Sequence, residues 1–386
     1  MIYIFEDKQA LDLEPISLTR PIFEVRSGPD TFLERILKMI HDDYSLIVRD
    51  EFKKLSQEQH PEAKVNPSEL EAGLWILGSA YWNKDAIELM QGKPNTIFKS
   101  NGRFVGANLS KQEAEDWVGK GGPLKEDYLG LDEIELEVPS ARYLWEILSQ
   151  ISLSISSYLP FIQFNENQDK VYAHPSVHIP KQVVFNVEKG PIIIEENVVI
   201  KPFSYIEGPV YLGKNSIVQA HSNLSNSIIG PHCKVAGEVH GCIFQSFSNK
   251  AHDGHLGDAF IGEWVNLGAG TTNSNLKNNY TSVIMDVNGK KHNTGTLFMG
   301  ALIGDHSKTA IGTQLNTGTV IGPACNVLAH SFPGKKIAPF TFYLNGKKRK
   351  MNWDDFLHTA KIVQSRRNRT MAETQILILE KIYSEL

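Results

Sequence analysis

Apolar residues recur along this chain in two rhythms, and the change falls near residue 170. Up to about residue 165, short apolar runs alternate with amphipathic stretches. "IYIF" (2–5), "YSLIV" (44–48) and "LWIL" (74–77) read as strands. Residues 30–41 place Phe32, Ile36, Leu37 and Ile40 on one helical face, and 83–91 reads as another helix. Residues 95–109 predict a hairpin turning at Asn101-Gly102, since both residue types tolerate a positive φ. Residues 140–155 predict a helix with Ser140 as its cap. This alternation predicts an α/β domain on a mostly parallel sheet.

From residue 171 the helical period is lost. Aliphatic residues recur every six positions, at Ile194, Ile200, Ile206, Leu212, Val218 and Leu224. The pattern returns at Ile261 and Leu267, then at Ile303, Thr309, Leu315, Ile321 and Val327. A period of six fits neither a helix nor a plain strand. It predicts a parallel β-helix in which three hexads close one triangular coil and the aliphatic side chain points inward. The register breaks between Val235 and Ile261, and again between Asn273 and Leu297, where solenoids project loops that build sites. Pro333 and Gly334 end the repeat, and 353–386 returns to helical spacing, as a cap for the open end of the prism. The expected domains are residues 1–168 (α/β), 169–345 (β-helix) and 346–386 (helical cap).

Composition adds mainly exclusions. The 386 residues are 41% hydrophobic and 22% charged with a formal net charge of -5, which does not point to nucleic acid as a partner. The N-terminal residues do not read as a signal peptide and no apolar run is long enough to span a bilayer, so no membrane partner and a cytoplasmic location are expected. Cys233, Cys242 and Cys325 are an odd count at irregular spacing and fit reduced thiols rather than a disulfide framework or a zinc site.

The chemistry concentrates in "KAHDGHLGDAFIGEWVNLGAGTTNSN" (250–275). His252, "LGD" (256–258), "IG" (261–262), "VNLGAGT" (265–271), then Asn273 and Asn275, resemble the acetyltransferase part of the bifunctional N-acetylglucosamine-1-phosphate uridylyltransferase/glucosamine-1-phosphate N-acetyltransferase family, and more closely a divergent branch of it. The resemblance implies a nucleotidyltransferase-like α/β domain followed by a left-handed hexapeptide β-helix, an exception to the usual right-handed crossover. Aligned without gaps from "LGD", His252 falls on the family's catalytic histidine and His255 on a substrate-facing tyrosine. Asn266 and Asn275 fall on asparagines of the family's motif, and with Asn273 they offer amides for sugar hydroxyls. Histidine is the natural base for an amine attacking a thioester near neutral pH, and a backbone N–H of "GAGTT" is placed for the oxyanion. Asp253 stands beside His252 as a candidate to orient its ring. On residues alone, His252 also reads as an exposed turn histidine and the asparagine run as a turn. The same resemblance implies acetyl-CoA, a sugar 1-phosphate and UTP as substrates, Mg2+ for the nucleotidyl step and a homotrimer. Residues 335–369 hold ten basic residues against Asp354 and Asp355. They read either as a solvated basic face or as a site for coenzyme A phosphates, with Lys335, Lys336 and Arg349 as candidates.

The first domain departs from the family pattern. A glycine-rich "GxGTRM" loop is expected directly after the first strand, yet no glycine appears before Gly28. "LTRP" (18–21) and "VRSG" (25–28) stand there instead, so Arg20 and Arg26 are candidates to bind nucleotide phosphates, or else packing arginines. No metal ligand is assignable. The missing loop leaves open a degenerate first domain that holds a sugar nucleotide without turnover, so that the chain is an acyltransferase only. A zinc-dependent carbonic anhydrase on the same prism is a third reading, against which the histidine spacing speaks.

Overall fold

In the computed structural model, which describes residues 1–40, 42–128, 130–329 and 331–386, the strand expected at the N-terminus is β1 (Ile2–Phe5). It lies inside a seven-stranded sheet ordered β3-β2-β1-β4-β6-β5-β7, with β2 (Tyr44–Ile47), β3 (Lys64–Val65), β4 (Gly73–Leu77), β5 (Thr96–Ser100), β6 (Arg103–Leu109) and β7 (Asp132–Glu135). β1 runs parallel to both β2 and β4, while β6 is antiparallel to its neighbours. All four residues of β1 are buried, which is why its run is uniformly apolar rather than alternating. The β5–β6 hairpin turns at Asn101 and Gly102, at φ of 50° and 74°, as their residue types require.

Helix α1 (Phe32–Leu37) starts in a capping box of Thr31 and Glu34 and buries Phe32, Leu33 and Ile36. The far end of the expected helix, His41, lies outside the described residues. α2 (Lys53–Gln59), α3 (Lys84–Gln91) and α4 (Lys111–Gly119) complete this layer; Asn83 caps α3, and Ser110 with Glu113 boxes α4. α2 and α4 escape the apolar-periodicity reading, although "SKQE" carries the capping signature of α4. Residues Met1–Leu13, Arg20–Val25 and Asp30–Tyr143 form this first unit, and Glu14–Thr19, Arg26–Pro29 and Leu144–Leu386 form the second.

The helix expected over 140–155 is instead two, α5 (Leu144–Ser149) and α6 (Ile151–Tyr158), and both cluster with the second unit. Ser140 does not cap them, because it is extended and bridges Ala80. Beyond them the chain winds as a parallel β-helix with three faces. The first face stacks Val171–Ala173, Ile192–Ile194, 210–212, 227–229, Ile243–Phe244, Phe260–Ile261, Ala301–Ile303, Thr319–Ile321 and Lys336–Ile337. The second runs from Val199–Ile200 through Ile217–Val218, Lys234–Val235, Asn249–Lys250, a bridge at Asn266 and Lys308–Thr309 to Asn326–Leu328. The third contains Val184–Asn186, 205–207, 223–225, Glu238–His240 and His255–Gly257.

Every hexad residue named from the sequence points inward, from Ile194 at 0% exposed to Thr309 at 8%. The apparent break between Val235 and Ile261 is not a break. Coils continue through inward Val239, Phe244, Lys250 and Leu256, but the spacing shortens and a lysine takes one aliphatic place. The second interruption, 274–297, does project as a loop; it carries the antiparallel pair Ile284–Val287 and Lys290–Asn293, turning at Asn288-Gly289.

One corner of the prism is a column of left-handed residues: Asn197, Asn215, His232, Phe247, Trp264, His306, Ala324 and Phe340, all at φ between 52° and 61°. Non-glycine residues are disfavoured there. Ring stacking offsets that cost, with centroids 4.5 Å apart for His232–Phe247 and 4.4 Å for Phe247–Trp264. The column ends on Phe340, which packs against Phe356 of α7 (Trp353–Ser365) and Tyr383 of α8 (Glu373–Ser384). The helical cap is therefore two helices packed on the last coils.

Candidate functional site

His252 and Asp253 lie on the turn between inward Lys250 on the second face and inward Leu256 on the third. Lys250 is 0% exposed. Its ammonium donates to the His252 carbonyl at 2.6 Å and to the Asp253 carbonyl at 2.5 Å. A six-residue spacing from Phe244 and to Leu256 puts a lysine where an aliphatic belongs, and that side chain holds the turn from inside the prism. The His252 ring is exposed and, among the described residues, makes no hydrogen bond or ion pair. Asp253 does not orient it, because its carboxylate makes no hydrogen bond to the ring; neighbouring side chains on an extended turn point apart.

The third face just after this turn carries a polar network. His255 Nδ1 stands 3.4 Å from Glu238 Oε1, and the His255 N–H donates to Thr272 Oγ1 at 3.2 Å. Asn275 Nδ2 donates to Asp258 Oδ2 at 2.6 Å. His240, one coil up, shares a 2.9 Å hydrogen bond with Ser225 Oγ. Burial pushes the Asp258 carboxyl above its usual range, and the Asn275 amide partly opposes that. Gly257 makes the approach possible: a Cβ there would lie 2.7 Å from both His255 Nε2 and Asn275 Nδ2.

The other expected site residues separate. Asn273 is 1% exposed, with its Oδ1 accepting from the Gly257 N–H at 2.8 Å and its Nδ2 donating to the Gly257 carbonyl at 2.9 Å. Its amide closes the coil rather than facing a ligand. Asn266 sits on the second face, bridged to Asn249 and Lys308, and not with the His255–Asp258–Asn275 network. In "GAGTT" the N–H groups of Gly268, Thr271 and Thr272 are engaged by Thr309, Gly268 and Thr313. Among the described residues, those of Ala269 and Gly270 have no protein acceptor.

Arg26 is 5% exposed, its Nε donates to the Gln245 carbonyl at 2.8 Å, its backbone N–H to Gln245 Oε1 at 2.8 Å, and its Nη1 to the Pro29 carbonyl. Held by carbonyls in this way, the guanidinium packs within its own unit, the alternative that the sequence left open for it. Arg20 stays in the first unit, where its carbonyl accepts from Arg49 Nη2 at 3.2 Å. Around the C-terminal end of β1, Glu6 pairs with Arg49 at 2.9 Å, Asp7 with Arg103 at 2.8 Å and Asp12 with Arg142 at 2.6 Å. Ionic pairs thus occupy the end of β1, where the strand order reverses and ligands of open α/β sheets bind.

The basic run also divides. Lys336 is tied to Glu14 at 2.8 Å and to the Asp286 carbonyl at 2.9 Å. Lys335 is exposed, and its pKa is lowered by burial and by Lys277. Arg349 lies over the Phe342 ring at 4.2 Å, on the hairpin Thr341–Leu344/Lys347–Lys350. The three cysteines are buried; burial pushes the Cys233 and Cys325 thiols up to about 12 and Cys242 higher still, so none offers a thiolate near neutral pH. Among the described residues no group of three or more His, Cys, Asp or Glu comes together to hold a metal ion.

Two stretches of the chain match transferase families. Residues 2–164 match the sugar nucleotidyl transferase family, and residues 191–226 match the bacterial transferase hexapeptide (six repeats). The chain is similar to a bifunctional sugar-1-phosphate nucleotidylyltransferase/acetyltransferase from Sulfurisphaera tokodaii, 38% identical over 153 residues, 38% of this chain and 36% of that protein. It is also similar to the bifunctional protein GlmU of Xylella fastidiosa, 31% identical over 182 residues, 42% of this chain and 36% of that one. The aligned part is thus about a third of the length of these curated relatives. Among solved structures, a putative acetyltransferase from Bacillus cereus overlaps 53% of this chain and 96% of its own at 19% identity and a TM-score of 0.23, a likeness too slight to carry weight.

Lys250 gives a test of how the turn is held. Burial lowers its pKa from 10.5 to about 8. The folded chain therefore binds that proton less tightly than the unfolded chain does, so the cost of burying the charge is full below about pH 8 and disappears as pH rises toward 10.5. Lys250→Met keeps an apolar filler and removes the charge. In urea titrations, the stability of the parent relative to this variant should rise between pH 7.5 and 10. A difference that stays flat over that range would mean that Lys250 is not enclosed as described.

Proposed function

We propose that the chain is a two-site transferase acting on a sugar 1-phosphate. The β-helix transfers the acetyl group of acetyl-CoA to the sugar amine, and the first unit couples the product to UTP, giving UDP-N-acetylglucosamine or a related UDP-sugar and pyrophosphate. The observation that carries the reading is the exposed His252 ring on a turn pinned by Lys250, directly before the His255–Asp258–Asn275 network. In the acetyl step His252 removes a proton from the attacking amine, the N–C bond forms as the C–S bond breaks, and the proton passes to the departing thiolate. His255 and Asn275 orient the sugar, and the Ala269 and Gly270 N–H groups are the available oxyanion donors. Lys335 and Arg349 are the remaining candidates for the phosphates of coenzyme A, with Lys336 already paired. Arg20 is the remaining candidate for the nucleotide. Mg2+ for the nucleotidyl step belongs to the same reading; no ligand is assigned to it, because Glu6, Asp7 and Asp12 are each paired with an arginine. A cytoplasmic homotrimer belongs to the same reading; among the described residues no helix is long and apolar enough to cross a membrane.

Mass spectrometry of products from a panel of sugar 1-phosphates, with acetyl-CoA and each nucleoside triphosphate, tests this directly. An acetylated amino-sugar phosphate and a UDP-sugar are expected. A second reading keeps the acyl transfer and drops the nucleotidyl step, and the engaged Arg26 favours it. UTP or UDP-sugar binding without turnover would select it.

A further inference from the structure

A cavity of about 440 Å3 opens on the second face of the prism, against the C-terminal end of α7. Four cations line it, Lys234, Lys308, Arg366 and Arg367, together with the amides of Asn249 and Asn266, and among the described residues no carboxylate does. The β-helix makes this arrangement regular. Lys234 pairs in register with Asn249, Asn249 bridges to Asn266 and Asn266 to Lys308, so these four outward side chains climb one ladder of adjacent coils, about 4.8 Å apart. α7 then delivers Arg366 and Arg367 to the same face. Arg367 is buttressed, donating to Asn249 Oδ1 at 2.9 Å and to the His232 carbonyl at 3.4 Å. Lys308 donates to the His306 carbonyl at 3.1 Å. Among the described residues Lys234 and Arg366 make no ion pair.

We propose that this cavity is a binding site for a small molecule carrying two phosphate groups, with a lysine at each end of the ladder, the two amides between them, and the arginines of α7 closing over the ligand. A concave wall with four cations and no counter-charge focuses positive potential, and guanidinium forks match phosphate oxygens. The groups also behave as an unneutralised cluster. Burial lowers Lys308 to about 8, and Lys234 is lowered by burial and then by Arg367 and Arg366. A bound dianion reverses both effects, so binding should draw in protons and be tighter at pH 7 than at pH 9. Phe247 and Trp264 of the stacked corner form a stiff back wall, so the cavity does not depend on the ligand for its shape. The cavity lies on the second face, apart from the His252 turn; coenzyme A as its ligand rests on the acyl-transfer reading, whereas a diphosphate site lined by these cations stands without it.

Isothermal titration of the full chain with pyrophosphate, inorganic phosphate, coenzyme A and a sugar 1-phosphate tests the proposal and separates the sources. Pyrophosphate or coenzyme A should bind more tightly than inorganic phosphate or the sugar 1-phosphate, and the part of that binding owed to the cavity is the part the cavity variants lose. Lys234→Gln and Arg366→Gln should each weaken that binding about tenfold or more, the scale of one charge-assisted hydrogen bond. Neither side chain makes an internal bond, so both variants should melt as the parent does. Lys361→Gln, on α7 but outside the cavity, should bind as the parent does. The proposal is overturned if none of the four probes binds at millimolar concentration, if inorganic phosphate binds as tightly as pyrophosphate, or if binding is unchanged in both cavity variants.

Discussion

His252→Ala should lower the kcat of acetyl transfer by about a hundredfold or more, the scale on which a general base contributes. Stability and UTP turnover should barely change. The ring is exposed and bonded to nothing among the described residues, so its removal costs little packing. The backbone around it is held by Lys250 through carbonyls, which alanine retains. The pH–rate profile of the parent should show one ionisation that vanishes in the variant. His255→Ala should act differently, raising the KM for the sugar more than it lowers kcat, because His255 is tied to Glu238 and Thr272 and shapes the network beside Asn275. The gapless alignment of the "LGD" segment fails if His255→Ala abolishes acetyl transfer while His252→Ala stays active.

The largest effect on stability is expected from Ile206→Asp. Ile206 is fully buried and stands in register with Phe185 and Leu224 in the coils on either side. A carboxylate there has no cation or donor to meet it and must either ionise in an apolar column or stay protonated at neutral pH, at a cost of several kcal/mol. Ile206→Val removes one methylene in the same place and should cost about 0.5–1.5 kcal/mol. Urea melts of the two variants should therefore separate widely. If Ile206→Asp melted like the parent, the inward assignment of the whole hexad column would be wrong.

What the sequence reveals here depends on how strictly a position is constrained. The hexads from Ile194 to Leu224 are legible because each inward place accepts only an aliphatic and each coil there has the same length. Between Val235 and Ile261 the same architecture is hidden. Coil length varies, and Lys250 occupies an inward place that a hydrophobicity scan reads as solvent. The lysine is tolerated because two carbonyls meet its ammonium, a tertiary fact that no residue pattern carries. The Asn101-Gly102 hairpin is local and so is read correctly, whereas Ser140, a good cap by type, is taken by the bridge to Ala80. In the candidate site, residue type and motif position single out His252, which is exposed, and Asn275, whose amide meets Asp258. They do not show that the polar atoms of Asn273 and Arg26 are engaged by neighbours distant in sequence.

The regular part of the prism also limits how such a gene can change length. Ile194 and Leu212 stand one above the other on the first face, so a full turn there takes eighteen residues. Excising 195–212 would leave every later side chain facing as before and every left-handed corner above another. Excising a single residue would send inward aliphatics outward through all the coils that follow. Insertions and deletions should survive in this region only as whole turns, or at places such as Val235 to Val239 and the 274–297 loop where the phase is already reset. Descent here would proceed in quanta, by copying or dropping a storey, while point substitution confines itself to what each storey displays on its outside.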